Sequence, residues 1–246
     1  MSKYRRNFIR SAIIKLDFYD NLPLNKELPQ SLIESALKNY PIFEPKPFIH
    51  KKYDFSNGGM KEAETSEGTA WIFHGKNREK SLTIEQASIG ANYSRYSSFN
   101  ELKSEFFSVL DKINELYPEV RINRSGLRYI NSIELDEKNP INWSKYLNSN
   151  LLSIFRIPED KKIISRAFHN LELKYDDMSI RFQYGMHNPD YPSIIRKKVF
   201  ILDFDAYISA EHNINEVPAN IDRYHDKIEQ LFENSIKDGL RAKMNE

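Results

Sequence analysis

The sequence predicts an α+β protein in which antiparallel strands pack against two long amphipathic helices. Three observations predict this class. Short runs of alternating apolar and polar residues recur along the chain, two long stretches show apolar residues at helical spacing, and turn residues separate these segments. The 246 residues are 40% hydrophobic and 29% charged, which is typical of a chain that buries a core.

Composition excludes several classes of function. The 36 basic and 35 acidic side chains leave a formal net charge of +1, so no general attraction to nucleic acid or anionic lipid is expected. The chain has no cysteine, which excludes disulfides, zinc-thiolate sites and thiol nucleophiles. No stretch reaches the ~18 apolar residues of a membrane span, and charged residues interrupt the N-terminal apolar stretch. We therefore expect a cytoplasmic protein without membrane contact.

The first part of the chain predicts a strand, a short helix and then several strands. Residues 8–18 alternate between apolar and polar, as in a half-buried strand. Pro29 suits the first turn of a helix, and Pro41 marks its end. Residues 49–93 have a β-like pattern, with a turn expected at Gly58-Gly59.

The clearest helix begins at Ser98. Ser98 and Glu101 have the spacing of a capping box, an apolar stripe follows, and Pro118 closes the helix. A long strand is predicted over residues 120–135, and a short helix over residues 141–147.

A hairpin is predicted around Asp176-Asp177. This turn sets apolar pairs on one face and an opposite-charge pair on the other. The predicted pairs are Leu173 with Ile180, Leu171 with Phe182, Ala167 with Met186, Glu172 with Arg181 and Phe168 with Gly185.

The last elements are a buried strand over residues 199–208 and an amphipathic helix that Pro218 opens and that continues through Leu240. The predicted order is therefore β-α-β-β-β-α-β-(α)-β-β-β-α. Because no disordered linker divides the chain, we expect one domain over residues 1–246. Two repeated α+β halves, 1–136 and 137–246, remain open as an internal division.

The segment Arg124-Ser125-Gly126-Leu127-Arg128-Tyr129-Ile130-Asn131 resembles the signature of a sporadically distributed bacterial family. Members of that family show an Arg-x-Gly-Leu-Arg-Tyr-x-Asn segment on a strand after an amphipathic helix. Further landmarks of the resemblance are the N-terminal strand, Tyr93-Ser94-Arg95-Tyr96, Leu202-Asp203-Phe204-Asp205 and the closing helix with Phe232 and Arg241. The patchy distribution implies a component of a mobile-element or antiphage defence system. The resemblance assigns no activity to any residue.

The arginines of this segment are candidate binding residues. On a strand, Arg124 and Arg128 point to the same face about 13 Å apart, whereas Tyr129 and Asn131 point to the other. Arginine suits bidentate contacts with phosphate or carboxylate, so these four residues, with Arg95 and Arg121, form a candidate surface for RNA or DNA. The alternative is that Arg124 and Arg128 form ion pairs with acidic residues of neighbouring strands.

Asp203 and Asp205 are the candidate metal ligands. They lie two apart on one strand face, so both could coordinate a hard cation. A metal-dependent hydrolase would need further carboxylates, for which the hairpin offers Glu172, Asp176 or Asp177. Ion pairing of both aspartates with basic neighbours is the alternative, and we expect no metal site.

The chain carries no complete catalytic motif. It has no Gly-x-Ser-x-Gly elbow and no phosphate-binding glycine loop, and the six histidines include no i, i+4 pair. We therefore expect a non-enzymatic binding protein without a cofactor, whose partner is a protein encoded nearby. Nucleic-acid binding is the second hypothesis and hydrolysis the third, and the sequence is compatible with a homo-oligomer.

Overall fold

The computed structural model describes residues 4–24, 27–54 and 61–246. The strands are β1 (Ile9–Phe18), β2 (Ile42–Asp54), β3 (Lys61–His74), β4 (Lys80–Ile84), β5 (Ser88–Tyr93), β6 (Arg121–Leu135), β7 (Ala167–Tyr175), β8 (Met178–Met186), β9 (Lys198–Ile208) and β10 (His212–Asn213). The α-helices are α1 (Gln30–Leu37), α2 (Phe99–Leu116), α3 (Val217–Ser235) and α4 (Asp238–Asn245). Short 3₁₀ segments are Ser149–Arg156, Lys161–Ile163 and Ile214–Glu216.

All the strands belong to one antiparallel sheet, in the order β2-β3-β4-β5-β1-β6-β9-β8-β7, with β10 beside β6. This confirms the predicted α+β class. Helix α3 packs on β6 and β9, α2 packs beside β5, and α1 packs on α2. Alternate side chains of the central strands are buried on this helix side. We call the other side, which carries Arg124 and Arg128 of β6 and Asp203 and Asp205 of β9, the open face.

Several local predictions are confirmed. The hairpin of β7 and β8 has the predicted register, with Leu173 opposite Ile180 and Glu172 opposite Arg181. Helix α2 begins where expected, because the Ser98 side chain accepts a hydrogen bond from the backbone N–H of Glu101. These features depend on residues that are close in sequence, where pattern and capping chemistry act directly.

The strand count before α2 was predicted wrongly. Among the described residues, four strands and not three lie between α1 and α2. The expected last strand divides into β4 and β5, and β2 begins seven residues earlier than expected, in a segment where Pro45 and Pro47 favour a connection. The structure places β2 at the edge of the sheet, where a missing backbone donor is tolerated. The predicted turn at Gly58-Gly59 lies outside the described residues.

The predicted helix over residues 141–147 is also wrong, since this segment forms turns. The buried ammonium of Lys198 donates hydrogen bonds to the backbone carbonyls of Asn139 and Asn142, and to the carboxylate of Glu137 at 2.8 Å. These carbonyls therefore accept hydrogen bonds from a buried ammonium, and not from backbone N–H groups as they would in a helix. Trp143 packs against this arrangement, with the ammonium 5.1 Å from its ring centroid.

The final helix was predicted as continuous but is divided into α3 and α4. Ile236 has an extended backbone conformation and forms an isolated bridge with Leu147. Lys237 then donates its backbone N–H to the carbonyl of Tyr146. The helix is therefore interrupted where the chain forms backbone contacts with the loop after β6. No described helix is long and apolar enough to cross a membrane.

Candidate functional site

The Arg-x-Gly-Leu-Arg-Tyr-x-Asn segment lies on β6, near the middle of the sheet. Its strand pairs with β1 on one side and with β9 on the other. The register sets Arg128 opposite Asp205 and Ile130 opposite Asp203. The two sequence landmarks, one on β6 and one on β9, are therefore direct neighbours.

On the open face, the arginines of β6 form ion pairs with β9. Arg128 donates from Nε and Nη2 to the two carboxylate oxygens of Asp203, at 2.8 and 2.6 Å. Arg124 lies 3.3 Å from Asp205, and its guanidinium stacks 4.7 Å from the ring centroid of Tyr207. Gly126 leaves room for this stack, since a Cβ there would approach Arg124 Nη1 to 3.1 Å. The ion-pair alternative of the sequence analysis is thus what the structure shows.

The ion pairs extend over four strands. Arg181 of β8 lies opposite Asp205 in the register and donates to Glu172 of β7 at 2.7 Å. Burial raises the pKa of the Asp205 carboxyl, although Arg124, Arg128 and Arg181 act in the opposite direction. We call Glu172, Arg181, Asp205, Arg124, Asp203 and Arg128 the ion-pair network. Three guanidiniums and three carboxylates balance, so the network has no net charge.

On the helix side, β6 is tied to α3. Tyr129 is fully buried, and its hydroxyl lies 3.2 Å from Nδ1 of His225. The Ser125 hydroxyl lies 2.9 Å from that of Tyr224, and Asn131 donates to the carbonyl of Leu202 at 3.2 Å. Tyr129 and Asn131, two predicted binding residues, therefore hold β6 to α3 and β9 and are not accessible.

Arg95 and Arg121 are not brought together with the network. Arg121 begins β6 and pairs with Asp20 and Glu211. Arg95 follows the end of β5, whose Tyr93 lies opposite Ala12 of β1, which in turn faces Tyr129. The end of β5 is thus level with a point eight residues along β6 from Arg121, or roughly 26 Å, and Arg95 lies beyond that end.

The two candidate metal ligands are both engaged with guanidiniums. The hairpin strand β8 lies beside β9, but two of the three hairpin carboxylates have other partners. Asp177 pairs with Arg223 at 2.6 Å, and Glu172 pairs with Arg181. Within the described ranges, no cluster of three or more metal-ligating side chains occurs.

A surface cavity of about 800 Å³ lies beyond the end of β6, between the loop that follows it and the 3₁₀ segments. No pattern in the sequence predicts this cavity. Apolar and aromatic side chains line it together with charged ones. The apolar set is Ile141, Trp143, Leu152, Phe155, Ile194 and Ile195, and the charged set is Lys138, Arg156, Glu159, Asp160, Lys161 and Lys162.

Exposed apolar side chains concentrate in one stretch of the sequence that overlaps the lining of this cavity. Of the nine large hydrophobic residues that are exposed in the described part of the chain, seven lie within residues 154–194. We call four of them, Ile154, Ile157, Ile163 and Ile194, the isoleucine surface. Ile194 lines the cavity, and the other three adjoin lining residues in sequence. The only sequence signal was isoleucine among charged residues in a stretch without periodicity.

Comparisons with known proteins add little. No family model and no curated protein matches the chain. Among solved structures, Methanococcus jannaschii TBP aligns with 91% of this chain and 95% of its own, at 13% identity and a TM-score of 0.26. A TM-score this low supports no argument about function.

Proposed function

We propose that this chain is a cytoplasmic, non-enzymatic binding protein whose partner is another protein, held at the isoleucine surface and the adjoining cavity. The observation that carries the proposal is the concentration of exposed apolar side chains on one segment. Single exposed apolar residues are common on protein surfaces, but a local concentration marks an interaction site.

The cavity indicates the chemistry of the partner. Its lining includes the buried side chains of Trp143, Phe155 and Ile195, which suit apolar side chains that enter as anchors. The lining also carries four cationic and two anionic side chains. An apolar segment flanked by acidic residues would therefore be complementary both in shape and in charge.

The open face adds little to this proposal, and it also gives little support to the alternative, which is RNA or DNA binding. The guanidiniums of Arg124, Arg128 and Arg181 each face a carboxylate already. A phosphate would have to displace these carboxylates, and the network offers no net positive charge to attract it. The network fits a role in holding strands together.

The test uses proteins encoded beside this chain in its native host, purified one by one, because the sequence resemblance points to a mobile-element or defence setting. Ile157 is 78% exposed, so Ile157→Glu should fold normally and weaken the complex at least tenfold. Ile49→Glu is the matched control, because Ile49 is 60% exposed but lies on β2, outside the surface.

A photo-reactive amino acid at position 157 should cross-link to the partner, and one at position 49 should not. The proposal fails if a neighbour-encoded protein binds equally well to both glutamate variants. It also fails if none of these proteins binds the wild-type chain at micromolar concentration.

A further inference from the structure

The strand β7 ends the sheet with an open edge. Among the described residues it pairs only with β8. It is exposed on both sides, since Phe168 on the open face is 43% exposed and Leu171 on the helix side is 46% exposed. An edge strand of nine residues with exposed apolar side chains is a template for another strand.

The register identifies which backbone groups are unpaired. Tyr175 and Met178 flank the two-residue turn and form the closing pair of the hairpin. The closing pair of a two-residue turn is hydrogen-bonded, and hydrogen-bonded pairs alternate along an antiparallel ladder. The odd-numbered residues of β7 therefore bond to β8. Phe168, Asn170, Glu172 and Lys174 direct their N–H and C=O groups away from the sheet.

The other edge of the sheet is protected in a way that β7 is not. Gly75 donates its backbone N–H to the carbonyl of Lys80, which makes the odd-numbered residues of β3 bond to β4. The even-numbered residues of β3 then bond to even-numbered residues of β2. Pro45 and Pro47 of β2 consequently face outward, where they remove two donors from the edge. The strand β7 contains no proline.

We propose that β7 pairs antiparallel with β7 of a second copy of this chain, about a two-fold axis at Leu171. In this register Asn170 faces Glu172 of the second copy, and Phe168 faces its Lys174. Every outward N–H and C=O group finds a partner, and no like charges are opposed.

The side chains on the helix side also fit this register. The two exposed Leu171 side chains meet at the axis as a non-hydrogen-bonded pair, the closer type of cross-strand contact. A register centred on Glu172 would instead set two carboxylates directly opposite each other, which is unfavourable. Because a two-fold contact is closed and the prolines block the other edge, the expected assembly is a dimer.

A single cysteine tests the axis directly, because the natural chain has none. In the proposed register the Cα atoms at position 171 lie about 4.5 Å apart, within the range of a disulfide. Leu171→Cys should therefore form a covalent dimer with oxidised glutathione. Asn170→Cys is the matched control, since each residue 170 faces residue 172 of the second copy, and it should stay uncross-linked.

Two substitutions of one exposed residue test the charge pattern by sedimentation. Asn170→Asp sets a second carboxylate opposite Glu172 and should weaken dimerisation at least tenfold, whereas Asn170→Lys should preserve or strengthen it. Circular dichroism confirms that both variants fold. The inference is overturned if the wild type remains monomeric at 100 µM, or if position 171 cross-links no faster than position 170. It is also overturned if a dimer survives Asn170→Asp unchanged. None of these results bears on the isoleucine surface.

Discussion

Replacing Arg128 should destabilise the fold more than replacing its partner. In Arg128→Met the carboxylate of Asp203, which is 8% exposed, loses both of its hydrogen bonds. Removing one member of a buried ion pair leaves the other charge unpaired and lowers the free energy of unfolding by about 3–5 kcal/mol. Arg128 itself is 37% exposed, so water can reach the vacated side, and we reduce the expected cost to about 2–3 kcal/mol.

The partner substitution should cost less. Asp203→Asn leaves an arginine that reaches solvent and the nearby Asp205 carboxylate, so about 1 kcal/mol is expected. The double variant Arg128→Met/Asp203→Leu removes both charges and should lie within about 1 kcal/mol of the wild type. The coupling between the two sites is then large, as expected for groups in direct contact.

Urea unfolding at pH 7 measures these free energies, and Arg181→Met is the control. Arg181 pairs with Glu172 on the same face, but both side chains are nearly half exposed, so that loss should be below about 1 kcal/mol. For a chain of 246 residues, the Arg128→Met cost corresponds to a fall in Tm of roughly 4–12 °C. If Arg128→Met is no worse than Arg181→Met, or if the double variant is additive, then Arg128 does not hold the sheet together.

Three further results are expected. Burial lowers the pKa of His225, so below about pH 6.5 the unfolded chain binds a proton that the folded chain does not bind. The free energy of unfolding should therefore fall between pH 7.5 and pH 5.5. Thermal unfolding should show a smaller fall in His225→Phe. Gly185→Ala should lower the free energy of unfolding in urea by more than about 2 kcal/mol, because Gly185 has φ +146° and a Cβ there would lie 2.1 Å from the carbonyl oxygen of Ala167. Gly90→Ala is the control and should cost little, since a Cβ at Gly90 makes ordinary contacts. Gel shifts at about 50 mM salt should detect no RNA or DNA binding, and a salt-sensitive shift lost in Arg128→Ala without unfolding would contradict the paired state of the network.

The features that the sequence predicts well are local. The register of β7 and β8 follows from residues within one hairpin, and the start of α2 follows from Ser98 and Glu101. The pairing of β6 with β9 joins residues 75 positions apart, as in the bond between Arg128 and Asp203. No local pattern sets such a register, and a slip of one residue would move every side chain to the other face. The sequence therefore left open whether these arginines bind a ligand or an aspartate.

The segment 141–147 shows the limit of helical periodicity as evidence. Trp143 and Tyr146 are spaced as on a helix face, and both are buried. They are buried around the ammonium of Lys198, which also needs the carbonyls of Asn139 and Asn142. The spacing indicates that these side chains are buried. It does not indicate that Lys198, which is distant in sequence, binds the backbone carbonyls that a helix would use.

The distinctive residues of the sequence and its interaction surfaces lie in different parts of the molecule. Both sides of β6 serve the fold, since Arg124 and Arg128 hold β9 while Ser125 and Tyr129 contact α3. The two proposed surfaces lie within residues 138–195, where irregular segments and an edge strand leave apolar side chains exposed. The irregular segments have no periodic signature, because periodicity arises from burial in the chain's own core, and the alternation of β7 predicts a strand without indicating that its edge is unpaired. The partner surface can therefore change by substitution while the β6–β9 pairing that supports it stays intact.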